Sequence, residues 1–581
     1  MHLRQTTHTI ALSLLLPFSL PAQTFHLKII ALNDLHGNLQ SPGKVAPNPQ
    51  SPAVPVGGVD YLAAYIAQLK QQNPNNIVVS AGDLTGASPL IASLFHDEPT
   101  IEVANRLGLN LNAVGNHEFD KGTPELLRLQ HGGCSSLDAN TCKGALTGTP
   151  VPFEGAHFQY LAANVFYAAT GRTIFPAYTI RTWHGVKVAF IGVTLAGTPD
   201  IVVQKNIAGL RFDDEAATIN ALVRRLRPQG VQSFVLLIHQ GGLQSAKGTL
   251  DINACMGDMQ GTPIRPIVAQ LDDAVDLVLS AHTHQAYICH LPNRTGRTIP
   301  VTSASAYGRM LTDVDLTLDA HSKRITAITA HNLLVDRTNP AITPDPAIRA
   351  IVERYAALAA PIVNRVVGSI TANILKEPAP SGENAVSDLV ADAQLDATAA
   401  PSSGAAVMTV INEDGVRTGL DFASAIPGIP DGKITFGELF GAQPFSNHLV
   451  TMTLTGEQIH TILEEQFKGC ALGAPPGTTV PDNDRRIEVS EGFTYTWSRS
   501  APPCHKVDPI RIQLNGVTLM PSATYRVTVN NLLADGGANF YAFRQGTNRL
   551  VGPPDLDATI AYLAKHPSIA PIQPHRISVI P

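Results

Sequence analysis

Beyond its N-terminal segment, this 581-residue chain has no apolar run of the about 20 residues that a membrane-spanning helix needs, so no stable membrane span is expected. Cysteine is scarce. Its six copies, at 134, 142, 255, 289, 470 and 504, never adopt Cys-x-x-Cys spacing, which removes the common thiolate metal and redox motifs. Charge is thin as well: 15% of residues are charged, the formal net charge is −6 and the pI is near 6.4. No basic stripe is available to neutralise a phosphate backbone, so a nucleic-acid polymer is not the expected partner, whereas a small anionic ligand is compatible. No internal repeat is visible. A hydrophobic content of 44% describes a well-buried globular protein. The length exceeds what one core usually supports and predicts two domains.

What the chain does have is a repeated ending. Apolar runs from Phe25 to Leu32, Ile77 to Ser80, Leu111 to Val114, Phe234 to Ile238 and Val275 to Ser280 read as buried strands. They lead into Asn33-Asp34-Leu35-His36-Gly37, Ala81-Gly82-Asp83, Gly115-Asn116-His117-Glu118, His239 and Ala281-His282-Thr283-His284. In open α/β layers ligands gather beyond the carboxyl ends of strands, so these ends are expected to converge. Any one Asp-x-His or His-x-His alone is more often a turn or a surface pair. Five such pieces at strand ends are a metal site.

Asp34, His36, Asp83, Asn116, His239, His282 and His284 supply oxygen and nitrogen but no thiolate. That set suits Mn, Zn, Co or Fe and is too rich in imidazole for Mg or Ca. The ligands outnumber the needs of one ion. Two ions about 3.5 to 4 Å apart, sharing a carboxylate, would use them all and would clamp the attacking and leaving oxygens of a phosphoryl displacement. Asp83 is the natural bridge, because Gly82 lets the backbone turn tightly beneath it.

These blocks, with Gly115-Asn116-His117-Glu118-Phe119-Asp120 and His239-Gln240-Gly241-Gly242, resemble the calcineurin-like metallophosphoesterase blocks of the bacterial 5′-nucleotidase family. The resemblance implies a four-layer α/β/β/α sandwich followed by a second, α+β substrate-binding domain. It places Asp34, His36, Asp83 and His284 on one ion, and Asp83, Asn116, His239 and His282 on the other. His117 would face the substrate phosphate and stabilise charge developing there, with Asp120 orienting the imidazole and holding it protonated. Ala281 stands where the family usually has Gly, which should perturb the loop without removing a ligand.

Arg4 precedes an apolar stretch from Ile10 to Leu20, followed by Pro21-Ala22-Gln23. This reads as a signal peptide over residues 1–22 with cleavage near Ala22, the rival being a retained anchor, and predicts a periplasmic or secreted protein. In an oxidising compartment three local disulfides are expected: Cys134 with Cys142, Cys255 with Cys289, and Cys470 with Cys504. Residues 23–338 form the predicted catalytic domain. Residues 339–365 form a Pro-flanked linker with Ile348, Ile351, Val352, Tyr355, Leu358 and Ala359 at helical spacing. Residues 366–581 form the second domain, with a helix from Asn384 to Ala397, a strand from Ala406 to Ile411, and a capping box at Thr455 to Gln458 opening a helix through Phe467.

The second unit resembles the 5′-nucleotidase C-terminal domain, which implies a nucleoside-binding role. Within Asn412-Glu413-Asp414-Gly415-Val416-Arg417, Asn412 and Arg417 match the family's phosphate-side block, and Arg417 would grip the phosphate with its planar fork. Phe445, in Gln443-Pro444-Phe445-Ser446-Asn447, matches the aromatic that stacks on the base, and Asn447 is carried over beside it. Three positions depart from the pattern: Leu532 replaces a second stacking aromatic, Ala538 replaces the Asp that binds ribose hydroxyls, and Asp414 replaces a Gly; an Arg that some members have upstream of Asn384 is also absent, with Ser381 nearby. Asn539 and Asp535 are candidates to replace that Asp. The reading is a secreted, monomeric dimetal enzyme, using Mn, Zn or Co, that hydrolyses nucleoside 5′-phosphates with metal-activated water. Nucleotide sugars, 2′,3′-cyclic nucleotides, non-nucleotide esters and thiosulfohydrolysis stay open as alternatives. So does a secreted binding protein without turnover.

Overall fold

The computed structural model describes residues 24–135, 138–244, 251–259, 262–445, 447–474 and 484–581. The predicted signal peptide, residues 1–22, lies outside the described residues. Among the described residues no helix is long and apolar enough to cross a membrane.

Two six-stranded mixed sheets form the first half. One runs in the order Arg324–Leu334, Met310–Asp319, Thr24–Leu32, Asn76–Ser80, Leu111–Ala113, Gln159–Leu161. The other runs Ala286–Pro292, Thr298–Ala304, Val275–Ser280, Ser233–Ile238, Val186–Val193, Tyr178–Trp183. The central strands of each are parallel; the second sheet has antiparallel strands at both edges, and the first has them on one side only, Gln159–Leu161 at its other edge being parallel. Strand periodicity explains the layering. On the first strand, Leu27, Ile29 and Ala31 face the second sheet's Val188, Phe190, Val235 and Leu237 in an inter-sheet core. Ile30 and Leu32 point the other way, to Leu62 and Ile66 of the helix Val59–Gln72. The second sheet is covered on its outer face by Ile219 and Val223 of the helix Glu215–Leu226 and Val268 of Ile264–Ala269. This is the expected α/β/β/α arrangement, and each fully buried side chain in it contributes about 1.5 to 3 kcal/mol.

The helix of the predicted linker spans Pro346–Val363, capped by Asp345, whose carboxylate accepts from the N–H groups of Ala347 and Ile348. Ile348, Ile351, Val352, Tyr355 and Ala359 bury against the first half, and Tyr355 packs 5.1 Å from Phe95. Strand Val366–Ser369 then pairs with Lys433–Thr435 in the second half.

The second half holds a five-stranded sheet in the order Ile487–Val489, Met408–Asn412, Thr524–Asn530, His448–Thr455, Thr547–Pro554, with a smaller sheet beside it. The helix Ala385–Thr398 opens at Asn384, whose side chain caps Ser387 N–H. The capping box at Thr455 and Gln458 forms as expected, but its helix Gly456–Glu465 stops short of Phe467. Phe467 N–H bonds to Glu464 O at 3.2 Å, a tighter closure that turns the ring inward onto Trp497.

Three disulfides join Cys134 to Cys142, Cys255 to Cys289, and Cys470 to Cys504, the pairing that sequence order predicts.

Candidate active site

All the metal-ligand candidates sit in turns just beyond strand ends, and the backbone there is unusual. Asp34, His36, Asp83, His282 and His284 all have φ between 47° and 74°, a left-handed region costly for residues with a Cβ. Cross-links between turns hold it: Asp34 N–H bonds to Gly82 O and His36 N–H to Asp83 O, both at 3.0 Å. Two glycines make the approach possible. A Cβ on Gly82 would come within 2.6 Å of His239 Nδ1, and one on Gly115 within 2.2 Å of Asp83 Oδ1.

The candidates gather in two clusters, Asp34 with His36 and His284, and Asp83 with His239 and His282, each with its ligand atoms within 4.8 Å of one another. Asp83 lies between them, its Oδ2 3.0 Å from His239 Nε2 and 3.6 Å from His36 Nε2. Asn116 Oδ1 lies 3.1 Å from His239 Nε2. Outer partners fix the imidazoles. His36 Nδ1 meets Gly86 O at 2.9 Å and His239 Nδ1 meets Ala81 O at 3.0 Å, so each Nδ1 is the donor and each Nε2 faces inward.

The electrostatics suit cations. Burial lowers His36 and His282 to about 3 and pushes His284 down, so these imidazoles are neutral ligands. Burial raises Asp34 to about 7. For His239 burial acts downward, but Asp83 outweighs it and carries the group up to about 9. Burial would likewise raise Asp83, but the charges of His239 and His117 pull it well below the usual carboxylate range. A proton on His239 and a divalent cation answer the same concentration of acceptors. His36 Nε2 and His284 Nε2 stand 3.1 Å apart. Two lone pairs so placed repel unless a cation or proton lies between them, and a nitrogen and oxygen donor set without thiolate fits borderline divalent metals.

Glu118, given no role from sequence, braces the site. Its buried carboxylate accepts from the N–H groups of Asp83, Leu84 and Gly115 at 2.6 to 3.0 Å, tying two ligand turns together. Its place in the Gly-Asn-His-Glu block was the only available signal. Tyr307 was also missed: its ring packs edge-on against His284 and its N–H bonds to Asp34 O at 2.7 Å.

His117 projects beside the clusters into a cavity of about 260 Å³ lined by both halves of the chain. Its Nδ1 meets Asp120 Oδ2 at 2.8 Å, while its backbone N–H, not its ring, donates to Asp83 Oδ1 at 2.9 Å. Across the cavity Arg417 Nη2 lies 2.9 Å from His117 Nε2, and Phe445 stacks on the imidazole at 5.9 Å. Burial acts to lower His117, but Asp120 and Asp83 raise it overall against the charge of Arg417. The guanidinium contact itself needs an unprotonated Nε2, because two donors cannot bond to each other.

Asn412, Arg417, Phe445 and Asn447 all line this cavity, and so do the departures Asp414, Leu532 and Ala538. The two candidate replacements for the missing Asp are engaged elsewhere. Asn539 accepts from Tyr541 OH at 3.1 Å, Asp535 pairs with Arg549 at 3.2 Å, and neither lines the cavity. Ser381 is also outside it, accepting from Trp497 Nε1 through its carbonyl. Near Asp414, burial lowers the Lys376 amine while Asp414 and Glu413 oppose that shift. Arg485, Asn206, Asn530 and the apolar run Ile201-Val202-Val203 also line the cavity and carried no sequence signal.

This geometry has relatives. Residues 27–286 match the family model for calcineurin-like phosphoesterases, and residues 366–545 match that for the 5′-nucleotidase C-terminal domain. Endonuclease YhcR of Bacillus subtilis is 30% identical over 94% of this chain, which spans only 40% of that relative's length. A 5′-nucleotidase of Rattus norvegicus is 21% identical over 98% of this chain and 93% of its own. The crystal structure of a 5′-nucleotidase precursor from Thermus thermophilus shares the fold, with a TM-score of 0.73 and 23% identity over 96% of this chain and 99% of that one.

Proposed function

Because this chain belongs to the 5′-nucleotidase family of calcineurin-like metallophosphoesterases, a hydrolase class, we propose that it is a secreted dimetal phosphoesterase releasing phosphate from nucleoside 5′-monophosphates. The observation that carries this is a single cavity bordered by Asp83, His282 and His284 from the two ligand clusters, by Arg417 and by Phe445.

Asp34, His36, Asp83 and His284 would hold one ion, and Asp83, Asn116, His239 and His282 the other. Two divalent ions of the Mn, Zn or Co type supply Lewis acidity and lower the pKa of water. Arg417 forks the phosphate through parallel N–H donors. A phosphate oxygen entering between Arg417 Nη2 and His117 Nε2 separates two groups now 2.9 Å apart. His117, no longer held against Arg417, takes a proton at Nε2 from solvent and faces the charge developing on the phosphoryl group, with Asp120 holding Nδ1. Phe445 supplies the face for a base, with Asn412 and Asn447 as polar contacts along the cavity. The three disulfides support an oxidising compartment.

A second reading has support from Leu532, Ala538 and Asp414, which line the same cavity and replace groups expected for ordinary nucleotides. It keeps the chemistry and changes the ester. Phosphate release by the Mn-loaded protein from AMP, UDP-glucose, 2′,3′-cyclic AMP, a sugar phosphate and p-nitrophenyl phosphate separates the two. Preference for AMP supports the first, and preference for a non-nucleotide ester overturns it.

A further inference from the structure

Arg485 stands out among the cavity's cationic groups because the mechanism gives it nothing to do. Its backbone N–H bonds to Gln466 O at 2.7 Å, while its guanidinium has no hydrogen bond or ion pair among the described residues, and its Nε is buried. Its neighbour Arg486 also has one buried nitrogen without a partner, Nη1, but the rest of its side chain is engaged. That guanidinium is wedged over Phe467 and Trp497 at 4.8 and 4.6 Å and paired with Asp484 at 2.8 Å. Arg486 is structural and Arg485 is free to take a ligand.

Leu532 and Ala538 line the cavity with Arg485, Ala538 N–H is spent on Asp200 O, and the Asn530 Oδ1 that shares the lining already accepts from Leu533 N–H. Burial raises the Asp200 carboxyl toward its neutral form, with the charges of Arg544 and Arg485 opposing. Glu465 is used up by the N–H groups of Gly473 and Ala542 at 2.8 and 3.0 Å. A sugar hydroxyl bound as a donor needs an acceptor, and a guanidinium is donor only. A buried donor left without a partner is costly, so this wall is complementary to an anion.

Resting on the reading of this cavity as a nucleotide site, we propose that Arg485 is a specificity-determining residue that binds a second phosphate, carried on the ribose. The fitted substrate is therefore a nucleoside bisphosphate whose 5′-phosphate is cleaved at the metal end. Arg417 grips the scissile phosphate and Arg485 the retained one.

The test compares AMP with adenosine 3′,5′-bisphosphate and 2′,5′-bisphosphate, the products being resolved by chromatography, in wild type, Arg485→Gln and Arg485→Lys. Wild type is expected to favour one bisphosphate by about tenfold or more in kcat/KM. Arg485→Gln should erase that preference while holding AMP within about threefold, and Arg485→Lys should keep part of it. Inhibition by the corresponding adenosine monophosphate product should weaken about tenfold in Arg485→Gln, with inhibition by adenosine unchanged. Equal losses for AMP and bisphosphates, or no wild-type preference, overturn the role of Arg485 and leave the nucleotidase reading standing. Turnover of p-nitrophenyl phosphate without any nucleotide overturns both.

Discussion

Replacing His117 with Ala should separate catalysis from metal binding, because the structure divides the residue into two parts. The backbone N–H supports Asp83 Oδ1 at 2.9 Å, and a substitution leaves that bond in place. The ring's hydrogen-bonding atoms go to Asp120 through Nδ1 and toward Arg417 through Nε2, at 2.8 and 2.9 Å, and its contact with the ligand candidate His36 is edge-on packing at 5.1 Å rather than a hydrogen bond. Loss of one preorganised donor to a developing charge costs about 100- to 1000-fold in kcat, or about 2.7 to 4 kcal/mol. His117→Ala is therefore expected to keep both ions by elemental analysis and to lose kcat by that factor with KM little changed. Asp120→Asn should fall in between, since the imidazole stays but loses its charged orienting partner. An ion lost from His117→Ala, or a kcat within threefold of wild type, would refute the assignment.

Asp83→Asn should deplete both ions, whereas His284→Ala should deplete one, because the Asp83 carboxylate lies against imidazoles of both clusters; equal metal content in the two variants counts against a shared carboxylate. Chelator treatment should abolish phosphate release and Mn should restore it, and full activity in the chelated protein would contradict the metal reading. In the second half, Asp388 is raised to about 8 by burial, against Arg576 and with Glu383 and Asp392 adding to it. A carboxyl raised above its unfolded value of about 3.9 favours the folded state at low pH, so its contribution is present below about pH 4 and is lost as pH rises toward about 8. Denaturant melts at pH 5 and pH 8 should show that decline in wild type and a shallower one in Asp388→Asn; an unchanged slope would assign it to other groups. Joint replacement of Cys255 and Cys289 by Ser opens a link of sequence separation 34 and should cost about 3 to 4 kcal/mol by chain entropy. A loss below about 1 kcal/mol would show that the unfolded chain is not constrained by it.

The catalytic side was legible because its signals are local. A strand announces itself by a short β-branched run, and a ligand turn by the Asp, His and Asn that follow it, so Asp34, His36, Asp83, Asn116, His239, His282 and His284 could be named before any geometry. The capping box at Thr455 and the caps at Asn384 and Asp345 are local in the same sense. Even there the reading stopped early. It gave Glu118 no role and did not foresee that five ligand candidates adopt left-handed backbone, because both depend on bonds between turns far apart in the chain.

The substrate side was read from matched and mismatched positions, which say what is missing but not what replaces it. Asn539 and Asp535 were reasonable substitutes by proximity in sequence, and their side chains are engaged with Tyr541 and Arg549 instead.

The sequence by itself determined the strands that carry the site, the identity of the ligand candidates and the local pairing of the cysteines, while the two-sheet layering came from the family resemblance. The first three follow from periodicity, side-chain chemistry and short range. Tertiary structure alone decided that Glu118 ties the Asp83 and Gly115 turns together, that Arg417 reaches His117 across 300 positions of chain, and that Arg485 and Ala538 line one cavity. Those relations are distances between segments with no common pattern. They exist only once both cores have packed and the two halves have closed on one cavity.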